Sequence, residues 1–218
     1  VSGQKLVEEI MHTPALAANL EAIIREAGHA PVQSSAKQLV LAPALFRELD
    51  SLGTHRPLAL MRLQPLREWQ PEHDRAGLTV FLPFQDPGNI GAAIRSAAAL
   101  GAQRVVLLKE AASPFLPKAI RAAANAVFHT EILQGPALGD LVRAQPGILR
   151  LDVQGEDIAQ VPLANEIMLL PGVEGYGFAE KGTTTAVTIP TGGGVESLNA
   201  QSALSIALYE IMRRRGKK

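Results

Sequence analysis

Three short segments combine residue types suited to binding and transferring a charged group. The first, Asp86-Pro87-Gly88-Asn89-Ile90-Gly91, follows an apolar run and precedes an Ala-rich helical stretch with Ile94, Ala97 and Leu100 on one stripe. Glycine permits a tight turn there, and Asn89 is placed to cap the helix. Arg95 departs from the stripe. Because helical side chains lean toward the N-terminus it projects back over the loop, where a guanidinium beside exposed helix N–H groups makes an anion or phosphate clamp. The same residues also suit a plain N-cap and a solvated arginine. The second segment, Leu170-Pro171-Gly172-Val173-Glu174-Gly175-Tyr176-Gly177, again follows an apolar run. Its glycines let a ligand approach backbone closely and Glu174 stands alone among them, although for this loop taken alone a glycine-rich turn with a solvated Glu is the stronger reading. The third, Ile189-Pro190-Thr191-Gly192-Gly193-Gly194-Val195-Glu196-Ser197-Leu198-Asn199, leads into a helix carrying Leu204, Leu208, Ile211 and Met212. Ser197 is a natural N-cap and need be nothing more.

These segments must be held by elements that end near one another. From Leu78 onward, apolar or β-branched runs (78–84, 104–108, 126–132, 147–153, 167–170 and 185–189) alternate with helical stretches. That alternation predicts an α/β fold, a parallel sheet flanked by helices, whose ligands sit beyond the carboxyl ends of the strands. Residues 1–63 read as a small α/β unit: Leu6, Val7 and Ile10, then Leu16, Leu20, Ile23 and Ile24 after Pro14, recur at helical spacing. Residues 64–77, with Pro65, Pro71 and Glu72-His73-Asp74-Arg75, have linker composition and mark a domain boundary, leaving 78–218 as a second domain.

With 21 Lys+Arg against 21 Asp+Glu, attraction to an anionic polymer must come from local clusters. The absence of cysteine excludes a disulfide framework, a thiolate zinc site and a Cys nucleophile, and together with the lack of a long apolar run or signal pattern predicts a cytoplasmic protein without a membrane partner. The chain opens on Val1 rather than Met, which suggests a trimmed start. The five histidines have no ligand spacing, so no metal is expected. The triple glycine is not a phosphate loop, since no Gly-Lys-[Ser/Thr] follows and Ser197 breaks Gly-x-Gly-x-x-Gly. This argues against a nucleotide triphosphatase, a nicotinamide dehydrogenase and a generic doubly wound nucleotide-binding enzyme. No Gly-x-Ser-x-Gly elbow is present. The tail Arg213-Arg214-Arg215-Gly216-Lys217-Lys218 suits a cationic helix end better than a nucleic-acid contact.

Read together and in order, the Asn89-to-Arg95, Gly172-to-Gly177 and Ile189-to-Asn199 segments resemble the three signature motifs of the SpoU/TrmH family, within the SPOUT class of RNA ribose 2′-O-methyltransferases. The resemblance covers residues 78 to 215, and the third motif, followed by a helix ending Leu208-Tyr209-Glu210, is the most specific part. The N-terminal part from Gly3-Gln4-Lys5-Leu6-Val7-Glu8-Glu9 resembles the small substrate-binding domain that often precedes the catalytic one, without its usual first stretch. Ser96, where the family commonly has Thr, and Val173 and Phe178 depart from its commonest choices.

The resemblance implies a C-terminal trefoil knot, which physics alone would not suggest, a homodimer that completes the active site, and S-adenosyl-L-methionine as cofactor. It places cofactor contacts on Leu170, Gly172, Glu174, Gly175, Ile189, Ser197 and Leu198, and catalytic or pocket-shaping roles on Asn89, Arg95, Glu174, Ser197 and Asn199. Ribosomal RNA is the target it favours, ahead of transfer RNA. A ribose hydroxyl must be aligned with the methyl group and deprotonated. The family's first-motif arginine, which Arg95 matches, is often described as general base, but a guanidinium is a cation at neutral pH. We therefore expect it to grip phosphate and stabilise the developing alkoxide. The competing reading is a non-catalytic RNA-binding or assembly protein on the same fold, against which the intact set Asn89, Arg95, Glu174, Ser197 and Asn199 speaks.

Overall fold

The computed structural model describes residues 1–173, 182–192, 194 and 197–216. Leu6, Val7 and Ile10 form the buried face of α1 (Gln4–His12). The predicted second helix is replaced by one turn, α2 (Pro14–Ala17), followed by β1 (Leu20–Glu26). The β-branched Ile23 and Ile24 are buried on opposite faces of this strand, so pairing and burial override the helical spacing. A three-stranded sheet forms with β1 between β2 (Gln38–Leu41), parallel to it, and β3 (Leu58–Met61), antiparallel. The intervening α3 (Pro43–Leu49) lays Phe46 against Ile24 and Leu58.

The larger sheet contains β4 (Leu78–Leu82), β5 (Arg104–Leu107), β6 (Glu131–Gln134), β7 (Ile148–Asp157), β8 (Ile167–Leu170) and β9 (Thr185–Thr188). Its order is β6-β5-β4-β8-β7-β9 and every pair is parallel. The helices are α4 (Pro87–Ala99), α5 (Pro117–Ala123), α6 (Ala126–His129), α7 (Leu138–Ala144) and α8 (Ala200–Arg215). Every residue of β4 is buried, as a strand covered on both faces requires. Leu78, Val80 and Leu82 pack in a core with the buried faces of α4, α5 and α8, whereas Phe81 faces Val106, Leu133 and Leu170 under α7. The expected strand over 126–132 begins only at Glu131. Residues 126–129 form α6, whose Val127 joins the α4 core, an outcome that a short apolar run cannot distinguish from a strand. Met212 faces outward, unlike Leu204, Leu208 and Ile211.

Residues 64–77 run along the outer edge of the sheet. Gln134 donates its N–H to Arg67 O at 2.9 Å and Trp69 donates its own to Gln134 O at 2.8 Å. Trp69 meets Phe81 edge-on at 5.0 Å, a contact worth about 0.5–1.5 kcal/mol beyond its burial. Arg67 forks onto both Asp74 oxygens at 2.9 Å and reaches Glu131 at 2.9 Å. Arg104 binds the carbonyls of Asp74 and Ala76 at 2.9 and 2.7 Å. The α1 face joins the same apolar core as the large sheet, and Glu9 lies 2.7 Å from His129.

The C-terminal arginines act structurally. Arg213 pairs with Glu210 at 2.7 Å, Arg214 donates to Ile158 O and Val161 O at 2.7 and 2.8 Å, and Arg215 donates to Asn165 O at 2.5 Å. Arg213 pairs within α8, while Arg214 and Arg215 bind the helix to the connection between β7 and β8. Among the described residues, no helix is long and apolar enough to cross a membrane.

Asp74 is only 6% exposed, and Arg67, then the Gln70 N–H, hold its carboxyl at about 2 instead of 3.8. A depressed carboxylate stabilises the fold above its ordinary value, and that contribution is lost as pH falls from about 4 toward 2. Replacing Asp74 with Asn should cost on the order of 2 kcal/mol at pH 7. The variant should also lose less stability than the parent between pH 5 and pH 3 in thermal melts. Parallel losses in the two proteins would show that this carboxylate does not govern the acid limb.

Candidate active site

The first loop is built from the end of β4. Pro83 and Phe84 are buried, and Phe84 O accepts the Ala112 N–H at 2.9 Å. Asp86, not Asn89, is the N-cap of α4: its Oδ1 accepts the Asn89 N–H at 3.0 Å, with Pro87 in the first helical position. Asn89 is thus already within the first turn, half-buried. The other Asp86 oxygen meets Lys118 Nζ at 2.6 Å, and this ammonium, followed by the Asn89 N–H, holds the carboxyl below its usual range. A Cβ at Gly91 would lie 2.1 Å from Ala119 O, so only glycine allows α5 this close to α4.

Arg95 is exposed on α4, at a position on the same face as Gly88 two turns earlier. Ser96 faces the other way, on the stripe of Asn89. It is tied to α8, because Ser205 Oγ lies 2.8 Å from Ser96 Oγ while Gln201 Nε2 donates to Ser205 Oγ at 3.0 Å and to Ser96 Oγ at 3.4 Å. The sequence reading missed Gln201 and Ser205. Their only signal is a pair of hydrogen-bonding side chains one turn apart on the helix.

The second loop leaves the sheet beside the first, since β8 pairs directly with β4. Leu170 is fully buried, Pro171 is buried and Gly172 is half-buried, with the position of a Cβ in ordinary contact with Leu151 O at 3.5 Å. Glu174 and Gly175 lie outside the described residues. The third loop starts from β9, on the far side of β7. Ile189 is half-buried against the core, whereas Ser197 and Leu198 are exposed. Asn199, not Ser197, caps α8: its Oδ1 accepts the N–H groups of Gln201 and Ser202 at 3.0 and 3.2 Å. Beneath both loops lies a charge the sequence reading passed over. Arg150 on β7 is 2% exposed, in register with Leu170 and Ala186, ion-paired to Asp152 and bonded to Thr184 Oγ1 at 3.0 Å. Charged residues at alternate positions of an apolar strand were the available sign, since a buried charge persists only when paired.

The three loops therefore leave the carboxyl ends of strands in one sheet, and the start of α8, just after the third loop, packs on the later part of α4, the helix that follows the first. Among the described residues, no three His, Asp or Glu side chains gather as a metal site. The Ser96 hydroxyl should be measurable as the link between the two helices. Replacing Ser96 with Val should cost about 1 kcal/mol in denaturant unfolding, whereas Thr at the same position should be nearly neutral. Ser205→Ala should add little to Ser96→Val. Fully additive losses would show that the two hydroxyls are not coupled.

The model of the SpoU rRNA Methylase family matches residues 78–209. A protein named ribosomal RNA small subunit methyltransferase G 2, from Syntrophobacter fumaroxidans, is 46% identical over 170 residues, covering 78% of this chain and 34% of the relative. The chain thus spans about a third of that relative's length. The 23S rRNA (uridine(2479)-2′-O)-methyltransferase of Streptomyces viridochromogenes is 30% identical over 196 residues, covering 82% of this chain and 68% of that protein. The crystal structure of the SpoU methyltransferase AviRb from the same organism, in complex with AdoMet, superimposes with a TM-score of 0.70 at 21% identity, covering 98% of each chain. The likeness of fold extends over both sheets, and this chain belongs to the SpoU rRNA methylase family.

Proposed function

We propose that this chain is an S-adenosylmethionine-dependent RNA ribose 2′-O-methyltransferase acting on ribosomal RNA. The observation that carries the reading is the gathering of the Asn89–Arg95, Leu170–Val173 and Ile189–Asn199 segments at one edge of a parallel sheet. Membership in a family named for rRNA methylation supports it.

The residues present fit the cofactor. The half-buried Gly172 leaves backbone open to a ligand, and Ile189 and Leu198, the latter 37% exposed, offer apolar surface to an adenine ring. Leu170, Gly172, Ile189, Ser197 and Leu198 would hold it, with Glu174 and Gly175 from outside the described residues. Bound there, S-adenosylmethionine would supply an electrophilic methyl group. The chain's own task is to seat the ribose and take charge of its hydroxyl proton. Arg95, anchored by a pinned helix but exposed at its tip, grips the phosphate and stabilises negative charge growing on the ribose oxygen. Asn89, two turns above Ser96 on the stripe facing α8, orients the acceptor. The Oδ1 of Asn199 is engaged by the α8 cap, so its amide Nδ2 is the group left for the pocket, beside the Ser197 hydroxyl.

Within the same proposal, residues 1–63 form the RNA substrate-binding domain and 78–218 the catalytic one, joined by 64–77 as a firmly held connection. The C-terminal part is tied in a trefoil knot, a reading supported by the resemblance of the motifs to the SpoU/TrmH family and by the likeness of fold to a SpoU methyltransferase. The chain works as a homodimer in the cytoplasm. Support for the dimer comes from an exposed apolar stripe on α8, where Ile206, Tyr209 and Met212 are 43%, 53% and 38% exposed.

Calorimetric titration with S-adenosylmethionine and S-adenosylhomocysteine should show saturable binding. A Gly172→Trp variant should abolish it without changing the melting temperature appreciably. No binding at millimolar cofactor would move the non-catalytic RNA-binding reading to first place. In methyl transfer to ribosomal RNA, Arg95→Lys should lower kcat by about 10²-fold. Near-normal turnover would show that the guanidinium fork is not required.

A further inference from the structure

Two walls border a groove of about 400 Å³ at the carboxyl ends of β5 and β6, one from the segment following β3 and one from the loop following β5. Its lining includes Leu63, Gln64, Leu66, Lys109, Phe115 and Gln134. We propose that this groove is a subsite for one unpaired nucleotide of the RNA, next in sequence to the methylated one. The inference rests on the methyltransferase reading above and adds to it a place where RNA is held.

Position is the first argument. The groove opens at the same edge of the sheet as the three loops, and its floor is fastened to the first of them. Ala112 donates its N–H to Phe84 O at 2.9 Å, close before the Asp86 cap, so groove and loop form one rigid surface. The second argument is chemical. Phe115 and Leu66 are half-buried and Leu63 is 55% exposed, giving an apolar and aromatic floor on which a base can lie. Gln134 Nε2 donates to Leu107 O at 3.2 Å, which fixes that side chain, and the exposed Gln64 amide is free to turn toward a base edge.

Lys109 stands at the rim with its backbone N–H fixed to Pro136 O at 3.1 Å, and it has no ion-pair partner among the described residues. An aromatic floor, one hydrogen-bonding amide and one unpaired cation are the complement of base, base edge and phosphate. The volume lies in the range of small-ligand sites. Stacking against a single aromatic ring tolerates any base, so the subsite would position RNA more than read its sequence.

The test uses the full chain with S-adenosylhomocysteine and a single-stranded hexauridylate. Amide resonances of Gln64, Leu66, Lys109 and Phe115 should shift together on titration. Lys109→Gln should reduce the slope of log K against log salt by about 0.7, the release of one counterion from a single strand. Phe115→Leu, which keeps the apolar volume, should weaken binding about tenfold and leave that slope unchanged. Neither variant should alter the affinity for S-adenosylhomocysteine. Absent binding of the hexauridylate, shifts confined to other surfaces, or an unchanged slope in Lys109→Gln would each overturn the subsite. Failure of S-adenosylhomocysteine to bind at all would instead count against the methyltransferase reading, so the two can fail separately.

Discussion

The site depends on β4 lying between β5 and β8 with every side chain buried. A strand buried on both faces needs a helical layer on each side, and parallel pairing sends every following loop to the same edge. The partner β8 comes from much later in the chain, so the register Leu78↔Ile167 brings together loops that are distant in sequence. Disturbing that pairing would separate the first loop from the second and uncover the two cores that β4 divides.

On this base, α4 is held at three points along its length. Asp86 and Lys118 fix its start, Gly91 lets α5 close on its middle, and Ser96 binds its end to α8. The backbone under Arg95 therefore has little freedom although the guanidinium itself is exposed. A rigid base with a solvent-facing cation suits a group that must meet a phosphate in one geometry, because little order has to be imposed on binding.

Among the described residues, the charges buried at Asp50, Asp74 and Arg150 are each braced by more than one partner. Arg150 lies between the second and third loops with Asp152 and Thr184, and Asp74 anchors the edge segment between Arg67 and Gln70. Such pairs add less to stability than their distances suggest, since desolvation offsets much of the attraction. Their directional bonds still specify where the surrounding backbone must lie. For Arg150 that backbone borders the second and third loops, whereas Asp74 fixes the edge segment near the amino ends of β4 and β5.

The strands from Leu78 onward, apart from the helical turn at 126–129, and the helix carrying Arg95 were legible because side-chain type and spacing are local properties. The caps were misread for a physical reason: several residues in each loop can accept helix N–H groups, and the choice of Asp86 over Asn89, or Asn199 over Ser197, depends on where the helix starts. The second helix predicted in the N-terminal unit became β1 once β2 and β3 were there to pair with it. By itself the sequence determined the alternating α/β order and which segments hold glycine, amide and guanidinium groups. Tertiary structure alone decided which loops became neighbours, which oxygens capped helices, which charges were buried and that 64–77 would be bound to the sheet. Those outcomes follow from contacts between distant residues, and no local period encodes them.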